Sequence, residues 1–380
     1  MTDVSFAVAA DAVFDGVALR QNCAVIVEGA DIVAVVERAD VPDGLVLHNL
    51  PEGAWLAPGF IDVQVNGGGD VLFNDVPTPE GIGAIVAAHR RFGTTALLPT
   101  LITGTDERMH AARNAVAAAM RDQPGVLGVH FEGPFLSPEK CGVHDPGSMR
   151  APEARDLELL TSLPGAAVLV TLAPERVPEG FIRTLTEKGV RVSLGHSMAT
   201  YEETKAAIAE GLSGFTHLFN AMRPLASREP GPIAAALETP GCWYGLIVDG
   251  VHVAPAMLKL ALRGLGSPML VTDAMPPVGG TGKPFSLYGR EIVANRGRVE
   301  TREGTLAGSG IDMASAVRNC VTLLELPLER ALRMASRAPA EFLGLGHRLG
   351  RLAAGYRADM VALDPSDVRV LQTWVAGRGG

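Results

Sequence analysis

The sequence lacks the features that mark secreted and membrane proteins. Its four cysteines, Cys23, Cys141, Cys242 and Cys320, lie far apart without CxxC spacing, which is typical of free thiols in a reducing compartment. It has no apolar run long enough to span a membrane, and no basic segment precedes an apolar one at its start. We therefore expect a cytoplasmic protein without a secretory signal.

Basic residues are also scarce. Lys and Arg number 33 against 42 Asp and Glu, which gives a net charge of −9, and no Lys/Arg-rich run offsets it. Nucleic acids and anionic membranes are therefore poor candidates for partners. If the substrate is an anion, its positive partners must be a few local side chains.

The order of segments along the chain predicts two domains. Short alternating segments, typical of antiparallel strands, occupy residues 1–57 and return in residues 346–380. Between them, in residues 58–345, apolar runs of four to six residues alternate with helical stretches. The 380 residues are enough for a barrel of about 250 residues and a second, small domain.

Eight apolar runs predict a (β/α)8 TIM barrel, because eight strands that alternate with helices close a parallel barrel. The predicted strands are 59–65, 95–99, 126–132, 167–172, 191–196, 214–217, 244–249 and 269–273. The two chain ends are expected to meet in one small β-sandwich domain. A β-hairpin insertion is predicted near 276–304, where the sequence alternates around Asn295-Arg296-Gly297.

The first predicted strand ends unusually for a metal-dependent hydrolase. Its inward positions in FIDVQVNGGGD are Gln64 and Asn66, and neutral amides are poor ligands for transition metals. Other barrel strands, however, end at or just before polar residues. These residues are Glu132, His196, His217, His252 and Asp273. Because barrel enzymes place their chemistry at the carboxyl ends of the strands, we expect the active site there.

Three of these residues form the ligand set of a catalytic metal site. Glu132, His196 and His217 supply one oxygen and two nitrogens and leave a position open for water. We expect one divalent ion per chain, with zinc first and iron or another divalent ion as alternatives. The predicted fourth strand, in VLVTLAPE, has no lysine to hold a second ion, so the second site is expected to be vacant.

The motifs of the chain, taken in order, resemble those of one enzyme family. APGFIDVQVNG, HFEGPFL, SLGHS, FTHLFNAM, IVDGVH, VTDAM, TLAGS and GYRADMVALD run from the first strand to the tail. Together they resemble the N-acetylglucosamine-6-phosphate deacetylases of the amidohydrolase superfamily. The Gln-x-Asn pair on the first strand resembles the branch of that family with one metal.

The resemblance implies a role for each matching position. It makes Glu132, His196 and His217 the metal ligands, Asp273 the catalytic acid and base, and His144 a contact of the acetyl carbonyl. Asn220 and Ala221 match contacts to the sugar phosphate, and Gln64 and Asn66 are grouped with the substrate-binding residues. Arg228 and His252 match the phosphate-binding pair, part of which comes from the neighbouring subunit in family members. The resemblance therefore also implies a homodimer.

Three alternatives remain open. A cyclic-amide hydrolase or an aromatic deaminase on the same scaffold normally needs His-x-His on the first strand, which is missing here. Deacetylation of another N-acetyl-hexosamine 6-phosphate, such as the galacto epimer, is much harder to exclude from the residues. A catalytically silent scaffold is disfavoured by the intact Glu/His/His/Asp set.

Overall fold

The computed structural model describes residues 5–295 and 297–380. The chain divides into two compact units, one formed by the residues up to Asp62, His89–Ala96 and Asp312–Gly380, the other by Val63–Ala88 and Leu97–Ile311. Arg296, at the centre of the predicted hairpin turn, and the first four residues of the predicted β domain lie outside the described residues. No helix of the described residues is both long and apolar enough to cross a membrane.

The secondary structure alternates strands and helices through the middle of the chain. The strands are β1 Ser5–Phe14, β2 Leu19–Glu28, β3 Asp31–Glu37, β4 Val46–Asn49, β5 Trp55–Pro58, β6 Phe60–Val65, β7 Gly67–Gly68, β8 Val71–Leu72, β9 Thr94–Ile102, β10 Gly128–Glu132, β11 Ala167–Leu172, β12 Arg191–Leu194, β13 Gly214–Phe215, β14 Trp243–Leu246, β15 Ser267–Leu270, β16 Phe285–Leu287, β17 Arg290–Asn295, β18 Arg298–Thr301, β19 Leu306–Ser309, β20 Met360–Asp364, β21 Arg369–Val375 and β22 Arg378–Gly379. The helices are α1 Pro79–Arg90, α2 Asp106–Asp122, α3 Ala154–Leu160, α4 Phe181–Glu187, α5 Tyr201–Ala209, α6 Gly231–Glu238, α7 Pro255–Ala261, α8 Met313–Thr322, α9 Leu328–Ala335 and α10 Arg337–Phe342.

Eight of these strands form the predicted parallel barrel. Their order in the sheet is β6, β9, β10, β11, β12, β13, β14 and β15, which is also their order in the chain. Parallel strands need a crossover connection, and the helices between them supply it. The sheet nearly closes on itself, because Val65 forms a parallel bridge with Ala274 and the Asp273 N–H donates to the Gln64 carbonyl at 3.0 Å. The fold-class prediction is confirmed.

Several strands end earlier than predicted. β12 and β13 stop two residues before His196 and His217, which adopt positive φ angles of 47° and 33°. Left-handed backbone is incompatible with a strand and costs about 1–3 kcal/mol for a residue with a side chain. Asp273 has the same kind of backbone, with φ of 53°, three residues beyond β15. Ala221, also a predicted site residue, has a φ of 48°. Strained backbone at four of the predicted site residues is typical of a functional site.

The two chain ends share one sheet in the first unit. Its order is β22, β21, β20, β5, β1, β2 and β3, with β4 paired to β1. Its core is apolar and includes Val8, Val25, Leu56, Met360 and Trp374. The predicted small β domain built from both termini is therefore present. The contact-based division also places α8 to α10 in this unit.

A separate antiparallel sheet of β16 to β19 occupies the region of the predicted insertion. Its last strand returns to the carboxyl end of the barrel. The Ser309 N–H donates to the Asp273 carbonyl at 2.8 Å, and the Ser309 hydroxyl donates to the Thr272 carbonyl at 2.6 Å. The insertion is thereby fixed to the strand end that carries Asp273.

Candidate active site

A cavity of about 370 Å³ opens at the carboxyl ends of the barrel strands. Its lining includes most of the residues that the sequence predicted for the site, namely Asn66, Glu132, His144, His196, His217, Asn220, Ala221, His252 and Asp273. Strands β6, β10, β12, β13, β14 and β15 each lead into at least one of them. Barrel topology thus gathers side chains that are up to about 200 residues apart in the chain.

Glu132, His196 and His217 converge on one point of this cavity. The Nε2 atoms of His196 and His217 lie 3.1 and 3.0 Å from Glu132 Oε1, and 3.1 Å from each other. All three side chains are buried. In the described part of the chain, this is the group of His, Cys, Asp and Glu side chains that can hold a metal ion.

The spacing and chemistry of this triad fit a divalent metal. Three donors about 3.4 Å apart are expected around a tetrahedral ion with bonds of about 2.1 Å, and the triad is close to that spacing. The Nδ1–H of His196 donates to the Lys140 carbonyl at 2.7 Å, which leaves the Nε2 lone pair directed at the triad. Burial alone would raise the pKa of Glu132, but the imidazoles of His196 and His217 next to its carboxylate hold that pKa well below its usual range.

Asp273 lies beside the triad and is held by the two amides of the first barrel strand. Asn66 Nδ2 donates to Asp273 Oδ1 at 2.6 Å, and Gln64 Nε2 donates to the same oxygen at 3.2 Å. Gln64 Nε2 also lies 3.2 Å from Glu132 Oε2. Burial, and then the negative charge of Glu132, raises the pKa of Asp273 to about 6. In this structure the first-strand amides thus bind carboxylates.

His144 enters the cavity from the loop that follows β10. Its ring centroid lies 4.3 Å from that of His196, and its Nδ1 is 2.8 Å from the Thr103 hydroxyl oxygen. Burial lowers the pKa of His144 to about 3. The imidazole is therefore neutral near pH 7 and can donate through one nitrogen.

The residues predicted to bind phosphate are in different environments. The His252 ring is buried at the cavity, and its Nδ1–H donates to Asp249 Oδ2 at 2.6 Å, which leaves Nε2 available to a ligand. Arg228 is exposed, and it is not among the described residues that line the cavity. The structure therefore brings His252, but not Arg228, to the cavity of the same chain.

The remaining predicted positions also differ in exposure. Asn220 and Ala221 are half-buried at the cavity wall, where Asn220 Nδ2 donates to the His217 carbonyl at 3.1 Å. Gln64 is fully buried and, within the described residues, does not belong to the cavity wall. His130 is buried inside the barrel between the Thr100 and Thr171 hydroxyls.

Sequence reasoning missed three residues that support the site. Thr103 contacts His144, the Lys140 carbonyl orients His196, and Asp249 orients His252. Thr103 directly follows the second barrel strand, but the predicted strand stopped at residue 99, so the sequence did not place Thr103 at a strand end. Asp249 was detectable, as the acidic residue three positions before His252. The Lys140 contact comes from a backbone carbonyl, which no residue type reveals.

Comparisons with known proteins extend over nearly the whole chain. The profile of the Amidohydrolase family matches residues 55–379. An N-acetylgalactosamine-6-phosphate deacetylase of Shewanella sp. (strain ANA-3) is 44% identical over 368 residues, which cover 94% of this chain and 92% of that protein. An N-acetylglucosamine-6-phosphate deacetylase of Haemophilus influenzae is 35% identical, with 94% of each chain covered.

A solved structure matches the fold of this chain over its whole length. The crystal structure of N-acetylglucosamine-6-phosphate deacetylase from Pasteurella multocida matches with a TM-score of 0.95 at 35% identity, and the match covers 99% of both chains. The resemblance that the motifs indicated is therefore confirmed by sequence and by fold. This chain belongs to the amidohydrolase family.

Proposed function

We propose that this chain is a metal-dependent hydrolase that removes the acetyl group of N-acetylglucosamine 6-phosphate, giving glucosamine 6-phosphate and acetate. One observation carries the proposal: Glu132, His196 and His217 meet at 3.0–3.1 Å in the cavity where Asn66 and Gln64 hold Asp273. The Shewanella and Haemophilus relatives support the substrate class, because they are named as deacetylases of N-acetylgalactosamine 6-phosphate and N-acetylglucosamine 6-phosphate.

Glu132, His196 and His217 would hold one divalent ion in each subunit. We propose zinc, since one oxygen and two nitrogens are a common catalytic zinc set, with iron(II) as the alternative for metal analysis to distinguish. Bound there, the ion supplies the Lewis acidity that activates a water molecule and polarises the amide carbonyl. The amide of Gln64 already faces two carboxylates, which argues against a second ion at the first strand.

Asp273 acts as the general base and then as the general acid. An acetamide needs both, because its carbonyl is resonance-stabilised and its amine leaves poorly without a proton. Asp273 takes a proton from the attacking water and returns it to the departing nitrogen. The donors of Asn66 and Gln64 fix the orientation of the carboxylate, and its raised pKa suits a group that must bind and release a proton near neutral pH.

His144 stabilises the oxyanion that develops on the acetyl carbonyl. Its ring is next to that of His196 and is neutral, so it acts as a hydrogen-bond donor. Asn220 and Ala221 contact the sugar phosphate from the half-buried wall after β13. Asn66 also lines the cavity and is proposed to contact the sugar, although its Oδ1 is buried and has no hydrogen-bond partner among the described residues.

Arg228 and His252 bind the phosphate group. His252 would do so in its own chain, oriented by Asp249. Arg228 is exposed and outside its own cavity, and it has no ion-pair partner in residues 5–295 and 297–380. We propose that it reaches the cavity of a second copy, so that a homodimer completes two phosphate sites. Binding the remote phosphate then positions the amide for attack.

The galacto epimer is the second candidate substrate. The Shewanella relative, which is 44% identical, is named for N-acetylgalactosamine 6-phosphate, and the Haemophilus relative, at 35%, for the gluco epimer. The two sugars differ only in configuration at C4. Acetate release from both epimers, measured side by side with the metal-loaded enzyme, tests the proposal. Faster turnover of the galacto sugar would assign N-acetylgalactosamine 6-phosphate as the substrate. If neither sugar released acetate, the catalytically silent scaffold would be the remaining alternative.

Two further parts of the proposal concern domains and location. We propose that residues 1–57 and 346–380 form the small β domain and that residues 58–345 form the catalytic barrel. We also propose that the enzyme works in the cytoplasm, which is supported by the four free cysteines.

A further inference from the structure

Thr103 occupies the end of the second barrel strand, directly after β9. It is 1% exposed, and its hydroxyl oxygen lies 2.8 Å from Nδ1 of His144, which is also buried. The two residues are 41 positions apart, so the contact depends on the fold and not on local sequence. The proposed mechanism assigns no role to this hydroxyl.

Two other elements lie close to Thr103. Gly133 follows Glu132, and a Cβ added at Gly133 would lie 2.4 Å from Thr103 Oγ1, so a larger residue there would displace the hydroxyl. From the turn between β16 and β17, the Tyr288 hydroxyl donates to the Thr103 carbonyl oxygen. Gly133 thus leaves the space that the hydroxyl occupies, and Tyr288 holds the backbone of Thr103.

The contact decides which nitrogen of His144 carries the proton. A neutral imidazole has one N–H, and its other nitrogen is an acceptor. His144 Nδ1 is the best-placed acceptor for the Thr103 hydroxyl, since the alternative, the Glu132 carbonyl oxygen, is 3.5 Å away, at the limit of a hydrogen bond. When Thr103 donates to Nδ1, the proton of the ring is on Nε2.

We propose that Thr103 is a positioning residue that holds His144 as the Nε2–H tautomer, so that His144 presents a donor to the carbonyl oxygen of the acetamide. The other tautomer would present a lone pair to the developing oxyanion and would repel it. This inference rests on the proposed deacetylase function for the role of His144. It adds the group that sets the direction of the hydrogen bond.

The kinetic test uses Thr103→Val, which keeps the shape and removes the hydroxyl, and Thr103→Ser, which restores the hydroxyl. We expect kcat of the valine variant to fall about tenfold or more, the rate equivalent of one net hydrogen bond, with KM within about twofold. The serine variant should stay within about threefold of wild type. Thr204→Val is the matched control, because Thr204 in α5 is equally buried but its hydroxyl donates to the carbonyl of Thr200, the residue before that helix.

The structural test measures the tautomer itself. Nitrogen-15 NMR of the metal-loaded protein with labelled histidine, with His144 assigned through His144→Gln, should show the Nε2–H form in wild type and in Thr103→Ser. Thr103→Val should lose the exclusive Nε2–H signature while its metal content is unchanged.

An Nδ1–H signature in the wild type would overturn the inference. This measurement uses the wild-type protein and does not depend on the folding of a variant. Equal loss of activity in the serine and valine variants would also overturn it, because packing alone would then explain the effect. If the wild type releases no acetate, the proposed function fails, whereas the tautomer measurement still gives its own answer.

Discussion

Replacing Asp273 with asparagine removes the proposed base and keeps the shape of its side chain. The two hydrogen bonds from Asn66 and Gln64 both end on Oδ1, at 2.6 and 3.2 Å. An asparagine carbonyl oxygen can accept both, so the variant should retain the geometry of the site. The metal triad does not include Asp273 and should bind its ion as before.

The cost of the change should therefore be that of the lost proton transfer. General acid–base catalysis contributes roughly 10²–10⁴-fold, which is about 2.7–5.5 kcal/mol in activation free energy. The pH profile should change as well. The pKa of Asp273 is raised to about 6, and a bound cation would lower it, so wild-type kcat/KM should fall as the pH drops through a value at or below about 6. Protonation at low pH removes the base, and the asparagine variant has no such group to protonate.

The assay compares kcat, metal content and the acidic limb of the pH profile in wild type and Asp273→Asn. Asp359→Asn serves as the control, because Asp359 is a buried carboxylate of the first unit, where it pairs with Arg357. That variant should lose stability and keep kcat. An Asp273→Asn enzyme within a few-fold of wild type, or one that retains the acidic limb, would refute the assignment of Asp273.

Other predictions concern the metal, the phosphate and the first strand. His196→Ala should lose both the bound ion and activity, whereas wild type treated with a chelator should recover activity when a divalent ion is added; metal analysis of each sample checks this. Arg228→Ala should raise KM for the phosphorylated sugar by the equivalent of about 1.5–3 kcal/mol with kcat little changed, and equal turnover of phosphorylated and unphosphorylated sugar by wild type would refute the phosphate site. In a mixed dimer, one subunit carries Arg228→Ala and the other carries Asp273→Asn. If Arg228 serves the site of its partner, both substitutions affect the same site, the other site stays intact, and activity near half of wild type is expected. Activity that is lost or limited by a raised KM would place Arg228 in its own cavity. Gln64→Leu removes the donor between Glu132 and Asp273, so kcat/KM should fall about tenfold and the acidic limb should move to higher pH; an unchanged profile would show that the amide is dispensable.

The barrel could be predicted from the sequence because its strands are short apolar runs with helices between them. Burial on both faces requires such runs, and that requirement is local. Barrel enzymes keep their chemistry at the carboxyl ends of the strands, and this rule predicted that Glu132, His196, His217 and Asp273 share one site. The rule could not predict the backbone conformation of His196 and His217. Their φ angles are positive, and the strands therefore end two residues before them.

Contacts between distant residues account for most of what the sequence did not reveal. The sequence indicated that Gln64 and Asn66 are poor metal ligands and grouped them with the sugar contacts, but their amides donate to carboxylates at the ends of other strands. Thr103 is one threonine among many until the fold brings it to His144. Arg228 has the right chemistry for a phosphate, but a single chain leaves it in an exposed loop.

Titration of the metal-free enzyme with zinc, followed by the rate of acetate release from N-acetylglucosamine 6-phosphate, tests the central claim most directly. The triad of Glu132, His196 and His217 predicts that activity rises in proportion to added zinc and stops rising at one ion per chain. The same titration of His196→Ala should give no rise. Full activity without metal, or a rise that continues to two ions per chain, would contradict the account.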